Sequence, residues 1–191
     1  LIDKDGNVLY HCYRPTEDNA AMSWRQTVID IAREIKAKFD DKELVLGISA
    51  PGLPNENNTA IAYMPGRMQG LEHFNWQASL KIPACVLNDA VAAMVAEAWF
   101  GAARKKNNAV MVTLGTGVGG AILIDGKPYQ GAFNKAGHIG HMVIDDEGDP
   151  DVTGMPGSLE ECIGECTIVK RTGGKFNSTR EMIEAMKNGD E

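Results

Sequence analysis

The residues best suited to chemistry lie in two glycine-bearing loops, at one strand end and at the start of one helix. Gly115-Thr116-Gly117-Val118-Gly119-Gly120 follows the apolar run Ala109–Leu114 and fits the spacing G-x-G-x-x-G. A dinucleotide fingerprint of that form must run directly into a helix. Here Ala121–Ile124 is β-rich and ends in the turn Asp125-Gly126, so the dinucleotide reading fails on its context. A glycine loop between two strands can still turn successive backbone N–H groups toward an anion, with the Thr116 hydroxyl as a further donor. The plainer alternative is a tight hairpin. Asn88-Asp89 stand where a strand gives way to a helix. Either residue can cap that helix. A carboxylate there is also held ionised by the helix dipole, and it can take a proton from an alcohol attacking a phosphoryl group. Gly137-His138-Ile139-Gly140-His141 sets two imidazoles three apart, a spacing open to metal binding and to hydrogen bonds with ligand hydroxyls. Glu160 opens a helix, where it serves either the helix charge or a ligand.

Elements must position these groups. Residues 1–14 read as a hairpin turning at Lys4-Asp5-Gly6-Asn7. Residues 21–39 carry Trp24, Val28, Ile29, Ile31, Ala32 and Ile35 at helical spacing. Strands are expected at Glu43–Ile48, Ala60–Tyr63, Ala84–Leu87, Ala109–Leu114, Ala121–Ile124 and Met142–Ile144. Helices are expected at Trp76–Lys81, Ala90 to about Ala103, Leu159–Lys170 and Thr179–Lys187, the last capped by Ser178 with Gly189 behind it. Residues 65–76, 131–141 and the acidic stretch 145–157 read as loops. Hairpins mixed with crossover helices predict an α/β protein with a mixed sheet.

The composition narrows the function. The chain has 19 basic and 26 acidic residues, a net charge of −7 and 43% hydrophobic residues. A nucleic acid partner wants a basic face, and disorder is at odds with this hydrophobicity. A membrane span needs about 20 apolar residues, whereas the apolar runs here are strand-sized. There are 21 glycines among 191 residues, above the usual share of about 7%, and many fall in loops 47–52, 115–120 and 131–140. The four cysteines, at 12, 85, 162 and 166, lack C-x-x-C spacing. They read as buried or inert thiols in a reducing, cytoplasmic setting. Cys162 and Cys166 would share one face of a continuous helix.

Four blocks together resemble the ROK family of sugar kinases, within the actin-like, ribonuclease-H-like ATPase superfamily. They are Gly47-Ile48-Ser49-Ala50-Pro51-Gly52, Leu87-Asn88-Asp89-Ala90-Val91-Ala92-Ala93 through Glu97-Ala98-Trp99-Phe100-Gly101-Ala102, Leu114-Gly115-Thr116-Gly117-Val118-Gly119-Gly120, and Ala136-Gly137-His138-Ile139-Gly140-His141-Met142 followed by Gly157-Ser158-Leu159-Glu160. Their order and spacing span nearly the whole chain. The resemblance implies a two-lobed fold, with residues 1–103 as an N-terminal lobe and 104–191 as the start of a C-terminal lobe. It implies ATP-dependent phosphorylation of a hexose, glucose or a related sugar, at its 6-hydroxyl, with Mg²⁺. Asp89 would be the general base. Pro51, Gly52, Asn88, His138, His141 and Glu160 would surround the sugar, and Gly115, Thr116, Gly117 and Gly119 would hold the ATP phosphates. Partners would be sugar and nucleotide, in a homodimer or homotetramer.

The chain departs from the family pattern in three ways. The family's first phosphate motif, Asp-x-Gly-Gly-Thr, should precede residue 1, and an adenosine-binding part should follow residue 191, so the chain reads as part of a longer protein. Many members bind a structural zinc through a His and the cysteines of Cys-x-Cys-Gly-x-x-Gly-Cys-x-Glu. Here Asp151, Thr153 and Ser158 stand in the cysteine positions, which predicts no zinc and leaves His141 freer to meet the sugar or to titrate. His138 occupies a position that is often Glu, and this changes which hydroxyls the site can pair with. Other hexoses, N-acylated or epimeric, therefore stay open, and Arg67, Glu72, His73 and Asn75 are further candidates for setting the choice. A sugar-sensing regulator of the same family and a non-catalytic fragment are the alternatives.

Overall fold

The computed structural model describes residues 1–18, 22–39 and 43–189. The chain divides into two compact units, Leu1–Arg104 and Lys105–Glu191.

In the first unit the opening residues form the expected turn, with Ile2 bridged to Val8 and the Asp3 carboxylate accepting from the backbone of Asp5 and Asn7. Helix α1 (Ser23–Lys38) buries Trp24 and Ala32 and ends in Lys36 and Lys38, the sign of charge a helix C-terminus favours; residue 21 of the expected helix lies outside the described residues. Strand β1 (Leu46–Ala50) continues past Ile48, because Ser49 and Ala50 pair in parallel with Leu87 and Asn88 of β4 (Ala84–Asn88). Between them β2 (Leu53–Pro54) and β3 (Ile61–Tyr63) form a short antiparallel pair, followed by α2 (Trp76–Leu80). Helix α3 (Asp89–Phe100) follows β4 directly.

The core of this unit is Trp24, Ala50, Ile61, Leu71, Trp76 and Val86. Phe74 stacks edge-on against both tryptophans, with the Arg25 guanidinium 4.4 Å over its ring. The segment 65–76 is therefore more than a polar loop. Leu71 is buried in the core, the Asn75 side chain caps α2, Glu72 accepts from Met64 N at 2.6 Å, and Arg67 pairs with Asp18.

In the second unit β5 (Ala109–Leu114), β6 (Val118–Ile124) and β7 (Lys127–Tyr129) form an antiparallel sheet in the order β5-β6-β7. The expected loop Gly115–Gly120 is shorter than its glycines suggest, since β6 already begins at Val118 and Gly119 lies opposite Thr113. A single 3-10 turn covers Ile139–His141. The strand expected at Met142–Ile144 is only an isolated bridge from Val143 to Ser158, because Ile144 N and Asp145 N both turn to Gly157 O.

The helix expected over Leu159–Lys170 is broken in two, α4 (Leu159–Ile163) and α5 (Ile168–Arg171), with Gly164 extended between them. The N–H groups of Glu165 and Cys166, which a continuous helix would use internally, donate to Gly115 O and Thr116 O instead. Gly164 O accepts from Thr167 Oγ1 and Arg171 Nη2. Cys162 and Cys166 thus do not share one helical face. Helix α6 (Thr179–Asn188) is bounded as its sequence signals predict, with Ser178 accepting from Glu181 N and Gly189 at φ 83°. No helix among the described residues is long and apolar enough to cross a membrane.

Candidate functional site

Each unit gathers its own set of the expected residues. In the first, the parallel pairing of β1 and β4 brings their C-terminal ends together, with Ala50 opposite Asn88. This edge of a sheet is where α/β proteins place ligands. Pro51 and Gly52 turn away from β1 while Asp89 opens α3. Gly52 must be glycine: its φ is 92°, and a Cβ would come 2.6 Å from Tyr63 O.

Asn88 binds this corner together. It is 6% exposed, its Oδ1 accepts from Ala90 N at 3.0 Å, and its Nδ2 donates to Gly52 O at 3.2 Å. Those two bonds leave the amide one N–H and one lone pair for a ligand. Ala90 N also donates to Asp89 Oδ1 at 2.9 Å, while the Asp89 side chain lies at the surface. The capping reading and the functional reading thus fall on different residues. Asn88 is the cap, and Asp89, one residue on, presents a carboxylate with an oxygen left over.

In the second unit Gly115, Thr116 and Gly117 form the turn between β5 and β6. Its carbonyls are engaged: Gly115 O and Thr116 O accept from Glu165 N and Cys166 N, and Gly117 O accepts from Gly115 N. The N–H groups of Thr116 and Gly117 make no hydrogen bond among the described residues, and the Thr116 side chain is exposed. Two adjacent amide donors and a hydroxyl suit an anion. Gly119 is not among those donors, because it lies in the β5–β6 ladder.

Glu160 lies against this turn. Its Oε2 accepts from Val118 N at 2.9 Å, and a Cβ on Gly117 would collide with the carboxylate. Gly120 and Gly140 have a similar purpose. A Cβ on Gly120 would meet Gly137 O at 2.8 Å, and one on Gly140 would strike Val118 O, so both let the 137–141 loop lie directly on β6. His138 and His141 are half-buried in that loop.

His141 is not free. Its Nδ1 lies 2.8 Å from Asp151 Oδ2, and the Asp151 side chain is fully buried. Burial disfavours the Asp151 charge. Hydrogen bonds from Thr153, His141 and Ser158 outweigh it and hold the carboxyl well below the usual range. In the sequence the two are linked only as positions of the family's zinc motif; their direct contact is not legible there, because ten residues separate the partners.

The other thiols and metal candidates add little. All four cysteines are free, and burial together with Glu160 and Glu161 raises the Cys166 thiol above its ordinary value. Among the described residues no three His, Cys, Asp or Glu side chains are grouped to hold a metal.

Known proteins are similar to this chain in sequence and in fold. The ROK family model matches residues 1–191. A glucokinase of Streptomyces coelicolor is 29% identical over 191 residues, covering 97% of this chain and 58% of its own length. A xylose repressor of Bacillus spizizenii is 25% identical over 190 residues, 96% of this chain and 50% of the repressor. The crystal structure of a ROK glucokinase from Streptomyces griseus, in complex with glucose and AMPPNP, superposes with a TM-score of 0.71 at 25% identity, over 94% of this chain and 57% of that one. The chain thus spans rather more than half the length of these kinases, and its fold is the actin-like α/β fold they share. Since the family match runs from the first residue to the last and includes both the Asn88-Asp89 corner and the Gly115 turn, the chain belongs to the ROK family.

Proposed function

We propose that the protein transfers the γ-phosphoryl group of ATP to the 6-hydroxyl of a hexose. The observation that carries this reading is the exposed Asp89 carboxylate at the start of α3, next to buried Asn88, which ties that helix start to Gly52 O. In the proposed step the hydroxyl oxygen attacks phosphorus, the bond to ADP breaks, and the hydroxyl proton passes to Asp89. Pro51, Gly52, Asn88, His138, His141 and Glu160 would contact the sugar. The free N–H groups of Thr116 and Gly117 would take phosphate oxygens, which suits a chain of net charge −7, since backbone amides bind an anion without basic side chains. Mg²⁺ would enter as counter-ion of the ATP phosphates and spread their charge; it needs no protein cage for that. The same reading carries a cytoplasmic homodimer or homotetramer.

The xylose repressor's match over 96% of the chain supports a second reading, a sugar sensor. A sensor could use the Asp89 carboxylate only to accept from a sugar hydroxyl, but it has no nucleotide phosphate to hold at the Thr116 and Gly117 N–H groups, and this favours the kinase. The test is ADP release by the full-length protein over a panel of glucose, mannose and their N-acetylated amines. Turnover with at least one hexose is expected. Asp89→Asn should lower kcat about 10²–10⁴-fold with little change in sugar affinity. Absence of turnover with every hexose, or an unchanged kcat in the variant, overturns the proposal.

A further inference from the structure

The positions that carry zinc ligands in many ROK proteins do not fit zinc in this chain. They offer one imidazole, one carboxylate and two hydroxyls, a hard and weak set for that metal. The oxygens of Asp151 are also already taken. Oδ1 accepts from Thr153 N at 2.8 Å, Thr153 Oγ1 at 2.7 Å and Met155 N at 3.1 Å, and Oδ2 faces His141 Nδ1. None of the Asp151 side chain reaches solvent, and Ser158, which also supports its charge, is 0% exposed.

We propose that buried Asp151 is a positioning residue that takes the place of a metal: it accepts a hydrogen bond from His141 Nδ1–H and so leaves Nε2 as a hydrogen-bond acceptor toward a sugar hydroxyl. An ionised carboxylate can only accept, so Nδ1 must carry the proton. In the neutral ring Nε2 then has the lone pair. A metal on Nδ1 would do the reverse, using the Nδ1 lone pair and leaving Nε2–H as a donor. Replacing the metal by Asp151 therefore changes the polarity of the contact His141 offers. The ring side chain is 31% exposed, and Nε2 has no hydrogen bond among the described residues. Asp151 also links that ring to the residues that set Glu160. Ser158 caps α4 through Glu161 N at 3.3 Å, and Leu159 N donates to Met142 O at 2.9 Å.

This inference rests on the reading of His141 as a sugar contact, so its test has two arms. The first is independent of turnover: ¹⁵N-imidazole NMR and metal analysis of the full-length protein. The Nδ1–H tautomer of His141 and no stoichiometric zinc are expected; an Nε2–H tautomer, or bound zinc whose chelation shifts the His141 resonances, overturns the proposal. The second arm is Asp151→Asn. An amide has an N–H that can donate to Nδ1, so the tautomer is expected to invert, a signature that loss of packing alone would not give. The sugar KM is then expected to rise about tenfold or more, with the ATP KM unchanged. An unchanged tautomer, or an inverted tautomer with an unchanged sugar KM, overturns the positioning role. If the variant does not fold, the first arm decides alone. If no hexose turns over, the kinase reading fails while the NMR result still judges the Asp151–His141 pair.

Discussion

A Cβ on Gly117 would meet only the far end of Glu160, and the consequence differs from that of a backbone clash. The carboxylate can swing aside without a backbone clash, but it then leaves the N–H of buried Val118 without its acceptor. Gly117→Ala should therefore cost about 1–2 kcal/mol of stability. Because Glu160 would no longer be held in place, the sugar KM should also rise, by about tenfold. Steady-state kinetics beside a thermal melt would separate the two effects, and a large loss of stability with unchanged KM would contradict the argument. The sequence marked Gly117 as part of a glycine loop, but the group that needs the space, Glu160, belongs to a distant helix. Gly119 stands in the same motif and has another role, as a strand residue opposite Thr113.

At the scale of elements, the caps read at Asn88 and Ser178 are present, while the helix read across Leu159–Lys170 is broken. The starts of α2, α3, α4 and α6 each have a polar side chain at the cap, Asn75, Asn88, Ser158 and Ser178. Asn88 also donates to Gly52 O, in the turn after β1, whereas Ser178 is a surface cap. Asn88→Ala should therefore cost more than the loss of a simple surface cap. About 1–2 kcal/mol is expected, against about 1 kcal/mol for Ser178→Ala. Denaturant unfolding of the two variants under one condition measures the difference, and equal costs would mean that the Gly52 bond contributes nothing. The break between α4 and α5 is the opposite case. The apolar spacing over Leu159–Lys170 favours one helix, yet the N–H groups of Glu165 and Cys166 bond to the Gly115 turn. Two tertiary hydrogen bonds outweigh the propensity of a helix too short to be stable alone.

For the molecule as a whole, each unit has its own interior, and all three tryptophans belong to the first. Trp24 is 2% exposed and packs on Phe74 and Trp76. Trp24→Ala should destabilise that unit by about 3–5 kcal/mol, read from the remaining tryptophan fluorescence during denaturation; a loss under 1 kcal/mol would show that the aromatic cluster is not its core. The sequence by itself determined the family, the α/β class, the caps at Asn88 and Ser178, the glycine turns and Asp89 at a strand-to-helix junction. These depend on neighbours within a few residues, where the chemistry of the side chain decides. Only the tertiary structure placed Leu71 and Trp76 in the core, Glu160 on Val118 N, Gly115 O and Thr116 O on the broken helix, and His141 on buried Asp151. Each of those contacts depends on which distant group arrives to desolvate or hydrogen-bond the residue, and local patterns along the chain do not record that.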